Sequence, residues 1–181
     1  MFYIFLADGF EEVEALTPLD LMRRAGIDVQ TVGVGGIYVT GSHNITVKAD
    51  LLIDELDITS CDGVVLPGGM PGTTNLYNCE KVLECVRKCA DKQQLVCAIC
   101  AAPLILGRLG LLEGKKAVCF PGFEDELKGA EIGNVSCVAQ DNIITAKGAG
   151  AVFDFSRAII TYLKDESSAI KILETIQCSH M

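Results

Sequence analysis

The chain has no tryptophan, few aromatic residues (6%) and only two histidines among 181 residues. The scarcity of histidine narrows the chemistry at once, because cysteine hydrolases usually activate their thiol with an imidazole. His43 falls in a predicted hairpin turn and His180 in the C-terminal tail. They read as a turn or interface residue and a solvated terminus. A Cys–His–Asp hydrolase is therefore disfavoured, and proton transfer falls to a carboxylate. Clustered positive charge is missing too. The formal net charge is -9 and no Lys/Arg stripe is present, which argues against nucleic acid and anionic membranes as partners. No segment approaches the 18 or so continuous apolar residues of a membrane span, and Met1–Ala7 lacks the basic start and length of a signal peptide. Nine cysteines, an odd number without framework spacing, predict free thiols in a reducing, cytoplasmic setting. No linker, repeat or low-complexity stretch divides the chain, so residues 1–181 read as a single domain.

What is present is a chain that is 50% hydrophobic and carries 18 glycines. Apolar runs at 1–7, 28–34, 63–66 and 95–99 read as strands, with shorter ones at 117–119 and 143–146. Residues 37–40 and 45–48 read as a hairpin around Gly41-Ser42-His43-Asn44. Helices are expected at 11–24, with Pro18 kinking it or limiting its first segment, at 79–92, from Gly148-Ala149-Gly150 to about Leu163, and at 166–177. Strands alternating with helices over short connections predict an α/β fold, a parallel sheet covered on both faces, with sites at the carboxyl ends of its strands.

The most informative stretch is Leu95-Val96-Cys97-Ala98-Ile99-Cys100-Ala101-Ala102-Pro103. A strand ends at Cys100 and a helical pattern follows, placing a thiol at the tip of a strand-to-helix elbow. The adjoining helix N-terminus is expected to favour the thiolate. Two further segments should meet it: the loop after the first strand, with Glu11, Glu12 and Glu14, and Pro67-Gly68-Gly69 after Leu66. The N–H groups of Gly69 and Ala101 could then form an oxyanion hole.

Other motifs read more plainly. Cys97 and Cys100 spell C-x-x-C, but residues three apart on a strand point to opposite faces, so Cys97 reads as core rather than as a thioredoxin-type partner. Cys85 and Cys89 have i, i+4 helical spacing compatible with a metal. No further ligand lies nearby in sequence, so core packing is favoured. Glu11 and Glu12 read as first-turn charges. Gly68, Gly69 and Gly72 lack the Lys-Ser/Thr ending of a P-loop, and Gly148-Ala149-Gly150 lacks a dinucleotide fingerprint. Neither a cofactor nor a metal is expected.

Five blocks in order carry a resemblance: Gly9-Phe10-Glu11-Glu12-Val13-Glu14, Pro18 to Gly26, Val65-Leu66-Pro67-Gly68-Gly69, Ala98-Ile99-Cys100-Ala101-Ala102-Pro103, and Gly148-Ala149-Gly150 followed by Phe153-Asp154-Phe155. The chain resembles the ThiJ/PfpI superfamily, in its parkinsonism-associated deglycase branch. The resemblance implies a flavodoxin-like three-layer sandwich with a mostly parallel central sheet and helices on both faces. It also implies a homodimer formed partly through the first helix, with Asp20, Arg24 and His43 as interface candidates. Cys100 matches the reactive, oxidisable cysteine and Glu14 the buried acid beside it. Gly69 and Ala101 match the backbone donors, and Gly68, Ala102, Phe120 and Gly148 line the site. The implied activities are glutathione-independent conversion of methylglyoxal to lactate and removal of early glyoxal adducts from protein side chains. Oxidative-stress sensing, chaperone-like protection and an older thiazole monophosphate biosynthesis label also attach to the superfamily. Two departures stand out. Phe120 occupies the place of a histidine in animal members, and Ala101 stands where protease-like relatives have histidine, which argues against a peptidase.

Overall fold

The apolar runs at the start of the chain and around residues 63–66 and 95–99 carry no polar alternation, as strands covered on both faces require. A computed structural model, which describes residues 1–178, bears this out. His180 lies outside the described residues. In chain order the elements are β1 (Phe2–Ala7), α1 (Glu12–Arg24), β2 (Val29–Val34), β3 (Tyr38–Thr40), β4 (Thr46–Lys48), β5 (Leu51–Leu52), β6 (Gly63–Leu66), α2 (Gly72–Tyr77), α3 (Glu80–Asp91), β7 (Leu95–Ile99), α4 (Pro103–Arg108), β8 (Lys116–Ala117), β9 (Glu131–Ile132), β10 (Cys137–Gln140), β11 (Ile143–Ala146), α5 (Val152–Leu163) and α6 (Glu166–Thr175).

Seven strands form one sheet in the order β10-β11-β7-β6-β1-β2-β5. All neighbours are parallel except β10 with β11. Alternate side chains divide the core into two layers. Tyr3, Phe5, Val64, Leu66, Val96 and Ala98 face α2, α3 and α4, while Ile4, Leu6, Val65, Cys97, Ile99 and Ile144 face α1 and α5. Helix α6 packs outside, with Ala169 and Leu173 against Leu21 of α1 and Ile160 of α5. This is a flavodoxin-like α/β sandwich. From β1 the chain first proceeds to β2, then returns to β6 on the other side of β1. The carboxyl ends of β1 and β6 are thus a topological switch point, where open α/β sheets place their ligands.

Several local expectations need correction. Pro18 neither ends nor splits α1, which is continuous from Glu12 to Arg24. The missing Pro18 N–H costs one helical hydrogen bond, to the Glu14 carbonyl, and burial of Ala15, Pro18, Leu21 and Met22 against the sheet and α5 outweighs it. The strand expected at 117–119 is the two-residue β8, and Gly148-Ala149-Gly150 forms a 3-10 turn at Ala149–Ala151 before α5 begins. Helix α2 and the antiparallel edge strand β10 were not legible: α2 is a six-residue piece of Gly-Thr-Thr-Asn composition, and β10 is mostly half-buried. No helix among the described residues is long and apolar enough to cross a membrane.

Candidate active site

Three loops at the carboxyl edge of the sheet converge on Cys100. The elbow holds Cys100 at φ 65, a left-handed conformation that a non-glycine residue adopts at a cost of about 1–3 kcal/mol. It is pinned by the Cys100 N–H donating to the Ala146 carbonyl (2.9 Å) and the Phe120 N–H donating to the Cys100 carbonyl (2.8 Å). These bonds clamp the turn between β7 and the segments after β8 and β11, leaving the thiol half-buried.

Glu14 comes from the first turn of α1 and is 1% exposed. Its Oε2 accepts the Gly68 N–H at 3.0 Å. The carboxyl also hydrogen bonds with the Cys100 thiol and takes up the Ala149 N–H. The loop after β6 can pass so close only because it is glycine. A Cβ on Gly68 would stand 2.5 Å from Cys100 Cβ and 2.7 Å from Glu14 Oε2. Gly69 has φ +87, and a Cβ there would stand 2.5 Å from the Glu11 nitrogen. The backbone N–H groups of Gly69 and Ala101 lie close to the Cys100 sulfur and favour its ionised form.

Burial holds the Glu14 carboxyl at a pKa of about 7, against the partial offset of its hydrogen bonds with Cys100, Gly68 and Ala149. Burial, then the neighbouring Glu14 charge, pushes the Cys100 thiol up to about 12, with the Gly69 and Ala101 N–H groups pulling the other way. The expectation of a thiolate favoured by the helix N-terminus therefore does not hold while Glu14 is ionised. Helix α4 is only six residues long and starts at Pro103, so its dipole is weak beside a full charge in contact with the sulfur. The two groups behave as one titrating pair that loses a first proton near 7 and a second near 12. Between those values the pair carries a single negative charge, held mainly by Glu14. The thiolate is present in the tautomer in which Glu14 holds the proton.

Among the other expected site residues, Ala102 is fully buried beneath the elbow. Phe120 is 48% exposed. Gly148 sits between its ring and Glu14, where a Cβ would be 3.3 Å from the ring and 3.7 Å from Glu14 Oε1. No proton carrier stands at the Phe120 position. Phe120, Pro121, Lys147 and Gly148 line an open hollow of about 390 Å³ beside the Cys100–Glu14 pair. A second hollow, about 470 Å³, lies between β10 and α5, away from this chemistry.

His43 is not brought to Cys100. Its Nδ1 lies 3.0 Å from Glu12 Oε2, and the Glu12 side chain also accepts the His43 N–H at 2.9 Å and the Ile45 N–H at 3.3 Å. Glu12 is 4% exposed, so it is more than a first-turn charge: it clasps the β3–β4 turn to α1. Sequence reasoning missed this role, as it missed the Ala149 N–H on Glu14. Glu11, Glu12 and His43 offer ligand atoms within 4.8 Å of one another, but the Glu12 oxygens are already occupied by the turn. Asp20 and Arg24 pair with each other at 2.7 Å on the outer side of α1, two turns from Glu12, so the three interface candidates do not form one cluster.

The chemical arrangement is thus a strained cysteine, a buried carboxyl and two converging N–H donors. Residues 2–162 match the DJ-1/PfpI family. The chain belongs to the DJ-1/PfpI family. It is 36% identical to the Arabidopsis thaliana protein named DJ-1 homolog B over 92% of this chain, and spans only 39% of that relative's length. It is 31% identical to deglycase TK1284 of Thermococcus kodakarensis, covering 89% of this chain and 98% of that protein. The solved structure titled Toxoplasma gondii DJ-1, oxidized, superposes with a TM-score of 0.94 at 29% identity, covering 99% of this chain and 98% of that one. Several DJ-1/PfpI relatives thus share the fold along nearly its whole length.

Proposed function

We propose that this DJ-1/PfpI protein acts on small reactive carbonyls or glycated side chains through Cys100, as a glutathione-independent glyoxalase or deglycase. The observation that carries the reading is the Cys100–Glu14 pair with the Gly69 and Ala101 N–H groups beside the same sulfur. In this reading the Cys100 sulfur attacks the aldehyde carbon of methylglyoxal, and the carbonyl electrons move to an oxygen met by the two N–H groups. Glu14, whose proton is shared with the thiol, protonates that oxygen. The resulting carboxylate removes the hydrogen from the former aldehyde carbon and returns it to the neighbouring carbon, while the hydroxyl proton passes to the neighbouring oxygen, giving a lactoyl thioester. Water, deprotonated by Glu14, displaces the thiol and releases lactate. A pKa near 7 suits a group that must both give and take a proton at neutral pH. The absence of a histidine at Phe120 leaves Glu14 as the proton carrier, and Ala101 in place of histidine speaks against peptidase chemistry.

The same reading includes a homodimer, supported by Val13 of α1 and Phe153 of α5, which are 47% and 42% exposed, and a cytoplasmic setting, supported by nine unpaired cysteines. A second reading, a non-catalytic redox sensor or chaperone-like protein, is favoured by the fit of the same donors to a sulfinate on Cys100. The deciding experiment is lactate formation from methylglyoxal without added thiol. Wild-type protein should turn over, Cys100→Ser should not, and Glu14→Gln should be slower by about 100-fold or more. Full activity in either variant overturns the mechanism. No turnover, together with oxidation-dependent suppression of aggregation, selects the second reading.

A further inference from the structure

A second group of thiols lies at the opposite edge of the sheet. Cys85 and Cys89 are one turn apart on the inner face of α3, and Cys61 enters from the loop just before β6. All three are fully buried. Cys61 Sγ lies 3.4 Å from Cys89 Sγ, across 28 residues of chain. The Cys89 thiol hydrogen bonds with Cys61, and Cys85 lies close enough to influence its ionisation. The sequence left Cys85 and Cys89 without a third partner, and the fold supplies it. The three sulfurs do not converge on one point: among the described residues, the only three ligand atoms mutually within 4.8 Å are those of Glu11, Glu12 and His43. The geometry suits a bond between two sulfurs better than a shared metal.

We propose that Cys61 and Cys89 are a second thiol switch, forming a reversible disulfide under hydroperoxide stress independently of Cys100. Cys61 is the attacking thiol. The neighbouring Cys85 and Cys89 thiols, the latter in hydrogen-bond contact, and the Lys88 ammonium hold its pKa well below the usual thiol value. Proximity to Cys61 and burial raise the other two. The Cys61 thiolate attacks one peroxide oxygen and the O–O bond breaks, giving a sulfenic acid and an alkoxide or hydroxide, which takes the proton of Cys89. The Cys89 thiolate then attacks the sulfenic sulfur, the S–O bond breaks, and hydroxide leaves as water once protonated. Two thiols and one hydroperoxide become one disulfide, one alcohol or water, and one water. Access is through the short 3-10 turn Ile58–Ser60, held by a few side-chain and terminal contacts: Lys88 Nζ donates to the Thr59 carbonyl at 3.0 Å and to the Cys61 carbonyl, the Tyr3 hydroxyl meets Ser60 Oγ at 2.9 Å, and the N-terminal amine donates to the Ser60 carbonyl at 3.4 Å. With Thr59 and Ser60 exposed to solvent, this turn opens at lower cost than the sheet beneath it.

The test is peroxide treatment of the wild-type and Cys100→Ser proteins, then denaturing alkylation and peptide mapping without reductant. The expected result is a Cys61–Cys89 cross-linked peptide in both proteins, reversed by dithiothreitol and accompanied by an upward Tm shift of roughly 5–10 °C. Cys85→Ala should keep the link and Cys89→Ala should lose it. If Cys89→Ala fails to fold, the wild-type map still decides. Full alkylation of Cys61 and Cys89 after peroxide has oxidised Cys100 overturns the proposal, as does a map linking Cys61 to Cys85 instead.

Discussion

Glu14→Gln separates the charge of the buried carboxyl from its shape. The folded protein holds the Glu14 proton up to a pKa of about 7, against an ordinary value of 4.5. Because the folded state binds that proton more tightly, the stabilisation it provides is fully present below pH 4.5 and disappears as pH rises through about 7. A shift of that size corresponds to roughly 3 kcal/mol. Glutamine keeps an oxygen to accept the Gly68 N–H but has no proton to lose. The depressed carboxylates of Glu12 and Asp50, which add stability as pH rises at the acid end, are common to both proteins and cancel in the comparison. Urea unfolding of both proteins at pH 4.5 and pH 8 should therefore show the variant gaining about 3 kcal/mol relative to wild type across the range. With a urea slope of about 2 kcal/mol/M, the gap between midpoints should change by about 1.5 M. Identical gaps at both pH values would refute the claim that folding holds Glu14 protonated, and with it the shared-proton account of the Cys100–Glu14 pair.

Other consequences are local. Gly68→Ala should cost about 1–3 kcal/mol by forcing a methyl group between Cys100 and Glu14, and alkylation of Cys100 by iodoacetamide should change in rate while the other thiols keep theirs. Phe155→Ala, in the fully buried layer between α5 and the sheet, should cost about 3–5 kcal/mol in denaturant unfolding. His43 should titrate above its ordinary 6.5 by NMR, because Glu12 hydrogen bonds to its ring and Glu11 adds its charge. The small stability this pair contributes is present below that ordinary value and fades as pH rises through the raised one. A Glu12→Gln variant should bring the His43 titration back towards 6.5.

The sequence by itself determined the layer architecture and the position of the elbow. Continuous apolar strands such as Leu95–Ile99 can be satisfied only by cover on both faces, and a strand running into Ala-Ala-Pro must turn at Cys100. Those signals are local, carried by neighbours along the chain. Short or half-buried pieces such as α2 and β10 carry too little pattern to be read this way. Tertiary structure alone decided which groups meet across loops. Glu14 is one acid among three on α1, and only the approach of Gly68, Ala149 and Cys100 makes it a buried acid with a displaced pKa. Glu12 became a clasp for the His43 turn, and Cys61 reached Cys89 across 28 residues. Burial and charge coupling depend on separations through space of a few ångströms, and a sequence pattern specifies separations along the chain.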